Sequence, residues 1–257
     1  MSSLRCPNCE TKFPADKKRC PICRAFGVPF SGNAHHDAVP LAQVTPNDVD
    51  RLETGPWDVC FGGGIARESC TMLAGEPGAG KSSLLLQMCH KLECPILYIS
   101  KEESKGSVRA RADRLGIDMS RITIVSQFQS SVLELLAELT PGFVILDSLQ
   151  GMTTDVGEVK TILTDLKKYA ESFQAPALIV SQVNADLDFY GEMALQHLVD
   201  TTLLLRGKED APRILKTRKN RFGPAGITVE FLMSGRGLIY VPPLTEKLAE
   251  DSDESDV

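Results

Sequence analysis

Residues 75–82 read Gly75-Glu76-Pro77-Gly78-Ala79-Gly80-Lys81-Ser82, followed by Ser83 and then Leu84-Leu85-Leu86-Gln87-Met88. The spacing is G-x-x-x-x-G-K-[ST]. The apolar run 70–74 ahead of it has the length of a buried strand, and a helix is predicted to begin just after it. In such a strand-loop-helix unit the glycines let backbone N–H groups converge on phosphate oxygens. Lys81 supplies a mobile positive charge to the β- and γ-phosphates, and the Ser82 hydroxyl is placed to ligate Mg²⁺. Gly75 through Ser83 are therefore read as an ATP·Mg²⁺-binding set. The competing reading, a chance glycine-rich turn, leaves both the full spacing and the flanking pattern unexplained.

The rest of the chain extends this unit into an α/β domain. Short β-rich apolar runs lie at 95–100, 121–125, 143–147 and 177–181, with helical patterns at 83–92, 104–115, 131–139 and 157–173 between them. Such alternation predicts a mostly parallel sheet covered on both faces. Beyond Asp200 the pattern changes to short strands at 201–205, 213–217, 227–233 and 238–241, which predicts antiparallel additions at one edge.

The 257 residues, 42% hydrophobic and 24% charged, have an ordinary globular balance. No run of eighteen apolar residues appears and the first residues lack an apolar signal core, so a cytoplasmic protein with no membrane partner is the expectation. The net charge of -6 is unevenly spread. Residues 1–24 are basic, with Arg5, Lys12, Lys17, Lys18, Arg19 and Arg24, whereas 246–257 are acidic and composed like a disordered tail. The expected organisation is a zinc-binding unit at 1–27, a linker at 28–45, an ATPase domain at 46–245 and the tail.

Cys6-x2-Cys9 and Cys20-x2-Cys23 form two knuckles whose four thiolates would close a tetrahedron around one structural Zn²⁺, a disulfide pair being the alternative. Cys60, Cys70, Cys89 and Cys94 lack such spacing and read as core thiols. His35 and His36, adjacent in the linker, are poor metal ligands by position. Asp147 ends an apolar strand, where its carboxylate would face the phosphate loop and hold Mg²⁺ through water. Glu102, with Glu103 as second choice, follows the 95–100 strand and is the candidate general base; the alternative is a helix-start acid facing the dipole. Gln182 follows the 177–181 strand, where its amide would sense the γ-phosphate and report it to the loop 183–192. That loop carries Phe189 and Tyr190 for base stacking, but also Asp186, Asp188 and Glu192, which repel phosphates. Lys216 to Arg221 is the densest basic cluster of the body, with Lys219 and Arg221 spaced to grip a polyphosphate or DNA backbone.

The four-cysteine knuckle, Gly75 to Ser82, Ile99-Ser100-Lys101-Glu102-Glu103-Ser104, Leu146-Asp147-Ser148-Leu149-Gln150 and Lys219-Asn220-Arg221-Phe222-Gly223 together resemble the bacterial RadA (Sms) DNA-repair ATPases, in order and spacing, from residue 6 to about 241. The resemblance implies a RecA-like ATPase core that binds single-stranded or branched DNA, forms hexameric rings and drives branch migration in recombination, with no membrane partner and alongside a recombinase or replication protein. It also implies that Lys219 and Arg221 reach a neighbouring subunit's nucleotide as a finger pair. Three departures stand out. The Lon-protease-like domain usual in the family is replaced after 245 by the acidic segment, as in a short form; Gln182-Val183-Asn184-Ala185 replaces the family's H-V-T-K; and Lys101 replaces a small residue, placing a cation beside the candidate base. Two rival readings are a RecA-like filament or strand-annealing protein with ATP-gated DNA binding, and a KaiC-like signalling ATPase whose knuckle recruits a protein.

Overall fold

The computed structural model describes residues 3–6, 10–14, 17, 20–22, 28–29, 48–128, 131–153, 155–182, 193–208 and 211–242. Cys9, Cys23, the two linker histidines, the loop 183–192 and the acidic segment 246–257 lie outside them. The chain divides into two compact units, Met1–Asp48 and Val49–Val257.

In the first unit, β1 (Ser3–Arg5) pairs antiparallel with β2 (Lys12–Pro14) and with β3 (Val28–Pro29). Cys6 N–H donates to Thr11 O at 3.0 Å, Glu10 N–H donates to Cys6 O at 2.9 Å, and Glu10 takes a left-handed φ of 58°. Cys6, Phe13 and Cys20 are buried together.

The second unit opens with a two-stranded ribbon, β4 (Arg51–Leu52) and β5 (Ile65–Ala66). Alternating elements then follow: β6 (Cys70–Gly75), α1 (Lys81–Cys89), β7 (Ile96–Ser100), α2 (Lys105–Leu115), β8 (Ile122–Val125), α3 (Val132–Leu139), β9 (Phe143–Asp147), α4 (Leu149–Met152), α5 (Val156–Phe173) and β10 (Ala177–Gln182). The chain closes with α6 (Met193–Leu198), β11 (Thr201–Arg206), β12 (Arg213–Asn220), β13 (Thr228–Ser234) and β14 (Gly237–Val241). Among the described residues nine strands form one sheet in the order β14-β13-β12-β11-β6-β10-β9-β7-β8.

The parallel strands read as continuous apolar runs because both of their faces are covered. Alternate residues go to opposite cores. Ile96, Tyr98, Phe143, Ile145, Leu178 and Val180 pack towards α1 and α2, while Leu97, Ile99, Val144, Leu146, Ala177 and Ile179 pack towards α3 and α5. Each fully buried Leu, Ile or Phe contributes about 1.5–3 kcal/mol. Local signals set the helix ends: Ser104 caps α2, Ser131 and Glu134 form a capping box on α3, and Asp155 caps α5.

One expectation is corrected. The sequence pattern predicts 201–205 at the antiparallel edge, yet β11 runs parallel to β6, with Thr201 opposite Thr71 and Leu205 opposite Gly75. The antiparallel extension starts only at β12. The physical reason is burial on both faces: Thr201 to Leu205 are all buried, whereas β12 and β13 alternate buried with exposed.

Candidate functional site

β10 lies between the phosphate-loop strand β6 and the acid-bearing strand β9, so three strand ends converge at one edge of the sheet. In register, Gln182 stands opposite Gly75, and Ser100 of β7 opposite Asp147. A cavity of about 450 Å³ opens there, and Lys81, Ser82, Glu102, Glu103, Asp147 and Gln182 all line it.

The loop has the geometry its sequence demands. Gly78 and Gly80 take left-handed φ values of 79° and 104°. No side chain caps the first turn of α1, so its N–H groups face the cavity as an anion-binding end. Gly75 is fixed by close approach of β11, since a Cβ there would stand 2.4 Å from Leu205 O. Lys81 is buried and folds back on the loop, its Nζ donating to Gly75 O at 2.7 Å and to Glu76 O at 2.9 Å. Burial holds its ammonium below the ordinary lysine range, opposed by the charges of Asp147, Glu102 and Glu76.

Asp147 is 6% exposed. Burial raises its carboxyl, while hydrogen bonds from Tyr98 and Ser82 pull it down. The Tyr98 Oη–Asp147 Oδ2 bond is 2.7 Å, and the Tyr98 phenol is pushed well above its ordinary value, chiefly by burial, which keeps it a donor. The Ser82 hydroxyl and the Asp147 carboxylate thus sit in contact beside Lys81, and this is the donor set that fits Mg²⁺: hard oxygens, one of them anionic, next to a phosphate cradle.

The two glutamates separate into different environments. Glu102 accepts from Gln182 Nε2 at 3.2 and 3.3 Å and from the Ser148 hydroxyl. Glu103 is paired with Arg111 at 2.9 Å, and its backbone carbonyl accepts from Ser100 Oγ at 2.9 Å. Gln150 of α4 fixes the end of β10: its Nε2 donates to Ser181 Oγ at 3.1 Å and its Oε1 accepts from Gln182 N–H at 3.2 Å. The peptide joining Asp147 to Ser148 is cis. Lys101 does not stand as the expected cation beside Glu102. Its Nζ lies over the Phe128 ring, 4.1 Å from the centroid, because the residue after β7 turns its side chain to the α3 side.

Lys219 and Arg221 are not brought to this cavity. β12 is antiparallel to β11, so its C-terminal end adjoins Thr201 and the start of β6. The six residues of β6, at about 3.3 Å each, separate that edge from the phosphate loop by about 17–20 Å. There Lys219 Nζ donates to Val199 O at 2.6 Å. The buried Asp200 carboxylate accepts from Lys167 Nζ at 2.6 Å, Arg221 Nη1 at 3.0 Å and Cys70 N–H at 3.1 Å. Asn220 Nδ2 and Arg51 Nη1 both donate to Phe61 O at 3.0 Å, and Arg51 also donates to Phe222 O, which holds the turn after β12 in place.

Of the cysteines, Cys60 and Cys70 are pushed up to about 12 and Cys89 higher still, all by burial, as inert core thiols are. In the first unit, Ile22 N–H donates to Cys20 Sγ at 3.4 Å, and Cys6 and Cys20 are both buried. Thiolates that accept backbone N–H bonds within tight turns suit a closed zinc site. Among the described residues no group of three or more His, Cys, Asp or Glu gathers as a metal site, and two of the four cysteines lie outside them.

Sequence reasoning missed Tyr98, Arg111, Arg114 and Met233. Tyr98 shares the β7/β9 face with Asp147, a diagonal cross-strand relation that only the register reveals. Arg111, Arg114 and Met233 line the cavity from α2 and from the β13–β14 hairpin. The R-x-x-R spacing on a helix directly after the candidate base was the available signal for the two arginines.

Comparison with known proteins bears on this geometry. The family model described as "ATPase: KaiC" matches residues 53–129. The chain is 30% identical to the DNA repair protein RadA of Treponema pallidum (strain Nichols) over 93% of its own length and 58% of that protein's. It is 31% identical to RadA of Bacillus subtilis (strain 168), over 96% of its length and 58% of that protein's. Over nearly all of its length the chain is similar to RadA. RadA of Aquifex aeolicus (strain VF5) aligns at 32% identity over 79% of this chain and 49% of that protein. The chain spans about half to three-fifths of the length of the curated relatives it matches. Its RecA-like fold is also that of the KaiC-like protein of Pyrococcus horikoshii OT3, whose crystal structure superposes with a TM-score of 0.64 at 18% identity, covering 76% of this chain and all of that one. No helix among the described residues is long and apolar enough to cross a membrane.

Proposed function

We propose that this chain is a DNA-dependent ATP hydrolase of homologous recombination and repair, acting on single-stranded or branched DNA as a homo-oligomer. The observation that carries the reading is the joining of two clusters at one strand edge: Lys81, Ser82 and Asp147 on one side, Glu102, Gln182 and Ser148 on the other. A bound Mg²⁺ would offset the negative charge of the phosphates. Ser82 and Asp147 would hold it, and Lys81 would leave the loop carbonyls for the phosphates. Glu102, kept in place by Ser148 and Gln182, is the group positioned to take a proton from water, while Glu103 is committed to Arg111. Gln182 touches the base and ends the strand that leads into 183–192, so it is the residue through which a phosphate would be reported to that loop.

Lys219 and Arg221, at the opposite edge from their own phosphate loop, suit action on a neighbour's nucleotide, which favours a ring or filament over a lone ATPase. The basic run Lys216 to Arg221 and the 183–192 loop are the DNA-contacting elements in this reading, and the N-terminal unit is a structural Zn²⁺ module built on Cys6, Cys9, Cys20 and Cys23. Branch migration or unwinding by closed rings is the finer form of the proposal. Steady-state ATP hydrolysis with and without single-stranded DNA tests it: stimulation by the single strand is expected, and a rate indifferent to any DNA would favour a signalling ATPase instead.

A further inference from the structure

At the sheet edge away from the cavity, the two residues that join α6 to β11 hold the ends of two basic side chains. Lys219 Nζ donates to Val199 O at 2.6 Å, and Arg221 Nη1 donates to Asp200 Oδ1 at 3.0 Å. Asp200 itself is pinned to the start of β6: its N–H donates to Cys70 O at 2.8 Å, and its Oδ2 accepts from Cys70 N–H at 3.1 Å. Its backbone carbonyl accepts from Arg221 N–H at 3.1 Å. The Asp200 side chain is 3% exposed and that of Arg221 is 51% exposed, so a surface guanidinium is anchored through one nitrogen in the interior. The carboxylate is shared. Lys167 Nζ of α5 donates to the same Oδ1 at 2.6 Å, with Glu171 3.9 Å from that ammonium. Burial, and then the charges of Arg221 and Lys167, hold Lys219 below the ordinary lysine range against the pull of Asp200, so three cations crowd around one buried carboxylate.

We infer that Asp200 is a positioning residue for hydrolysis on a neighbouring subunit: it binds Arg221 directly, and with the adjacent Val199 carbonyl it keeps Arg221 and Lys219 together as one oriented pair. This rests on the reading of that pair as acting across a subunit interface. A buried carboxylate must be paired, and Lys167, at the shorter distance, already does that. The second bond, to Arg221, is therefore not needed to keep Asp200 in the interior. What it does is direct the guanidinium. Two long cations side by side repel each other and sample many rotamers, and a fixed counter-charge between them and the core removes both costs before a neighbour arrives. Without the Asp200 charge, Lys167, Lys219 and Arg221 would be left close together with less to hold them, and the pair would spread.

The test is ATP binding and hydrolysis, with single-stranded DNA, by full-length Asp200→Asn, Lys167→Met and Lys219→Ala/Arg221→Ala proteins, alone and mixed with Lys81→Ala protein. Asp200→Asn should bind ATP within about threefold of the parent and hydrolyse it about ten- to a hundredfold more slowly, as for a misplaced catalytic group. Mixing should then separate a finger defect from a structural one. Asp200→Asn should rise above the sum of the separate rates with Lys81→Ala, which supplies intact fingers, and should not rise with Lys219→Ala/Arg221→Ala. Lys167→Met removes the other partner of the same oxygen and should hydrolyse within about threefold of the parent. Asp200→Glu keeps the charge but shifts it by one methylene; it should show the same pattern, and it decides the matter where the Asn protein does not fold. Parental hydrolysis by both Asp200 variants, lost ATP binding, rescue by the finger variant, no rescue by Lys81→Ala, or an equal loss in Lys167→Met would overturn the inference while leaving the finger pair standing. A Lys219→Ala/Arg221→Ala protein that hydrolyses at the parental rate, or that never complements Lys81→Ala in co-assembled mixtures, would instead overturn the reading across the interface, and the role of Asp200 with it.

Discussion

Replacing Tyr98 with Phe removes one oxygen from the interior and leaves the ring in place. The lost bond is a 2.7 Å hydrogen bond to a carboxylate that is 6% exposed, at a tyrosine with no exposure at all. A hydrogen bond to a charged group is worth about 1.5–3 kcal/mol, and that is the expected loss of stability for the nucleotide-free core at neutral pH. Its pH dependence has a definite sign. Burial raises the Asp147 carboxyl above 3.8 and the Tyr98 bond pulls it part of the way back, so the variant's carboxyl titrates higher than the parent's. Both carboxyls are ionised above the variant's value, where the loss is complete. As pH falls through that value the variant protonates first, and the loss shrinks. Urea unfolding of both proteins between acidic and mildly alkaline pH measures it. The same bond aims Asp147 at the cation site, so the Mg²⁺ concentration needed for half-maximal hydrolysis should rise about ten- to a hundredfold, the usual effect of removing a group that orients a metal ligand. A stability loss below about 0.5 kcal/mol, or one that grows towards acid, would refute the assignment of Tyr98 as the donor that orients Asp147.

Other outcomes follow from the same contacts. Asp147→Asn removes a carboxylate that burial disfavours, so the empty protein should be at least as stable as the parent at neutral pH in thermal unfolding, yet gain nothing from added Mg²⁺·ATP. A Lys219→Ala/Arg221→Ala protein should bind ATP nearly normally and hydrolyse it slowly, and mixing it with Lys81→Ala protein should restore turnover above the sum of the two; co-assembled mixtures that never exceed that sum would exclude action across an interface. Metal analysis of protein purified without added zinc should find one Zn²⁺ per chain, and chelation should unfold the N-terminal unit while the nucleotide site keeps its affinity; oxidised Cys6 and Cys20 without zinc would contradict this.

The strand pattern from Cys70 to Gln182 was legible because continuous apolar runs mark strands covered on both faces, and the phosphate loop because its spacing is chemically constrained. Asp147 could be placed from its position at the end of such a run. The parallel setting of β11 is also written in the chain: Thr201-Thr202-Leu203-Leu204-Leu205 has none of the alternation that β12 and β13 show, although it adjoins them in sequence. What the sequence did not reveal depends on register and on the curl of the sheet. Tyr98 meets Asp147 only because Tyr98 lies opposite Ile145. Arg114 reaches Gly235 O only because the hairpin folds back over α1 and α2. The division of labour between Glu102 and Glu103 likewise rests on partners 80 and 8 residues away, Gln182 and Arg111.

The most direct measurement is single-turnover ATP hydrolysis by the parental chain, Glu102→Gln, Glu103→Gln and Lys81→Ala, with nucleotide binding measured on the same preparations. Glu102→Gln should retain ATP and cleave it about 10²- to 10⁴-fold more slowly than the parent, as for loss of a general base, and Lys81→Ala should not cleave it at all. Glu103→Gln should fall between the parent and Glu102→Gln, because it loses a partner of Arg111 rather than the base. Parental cleavage by Glu102→Gln, or by Lys81→Ala, would mean that the chemistry is not done at the joined ends of β6, β9 and β10.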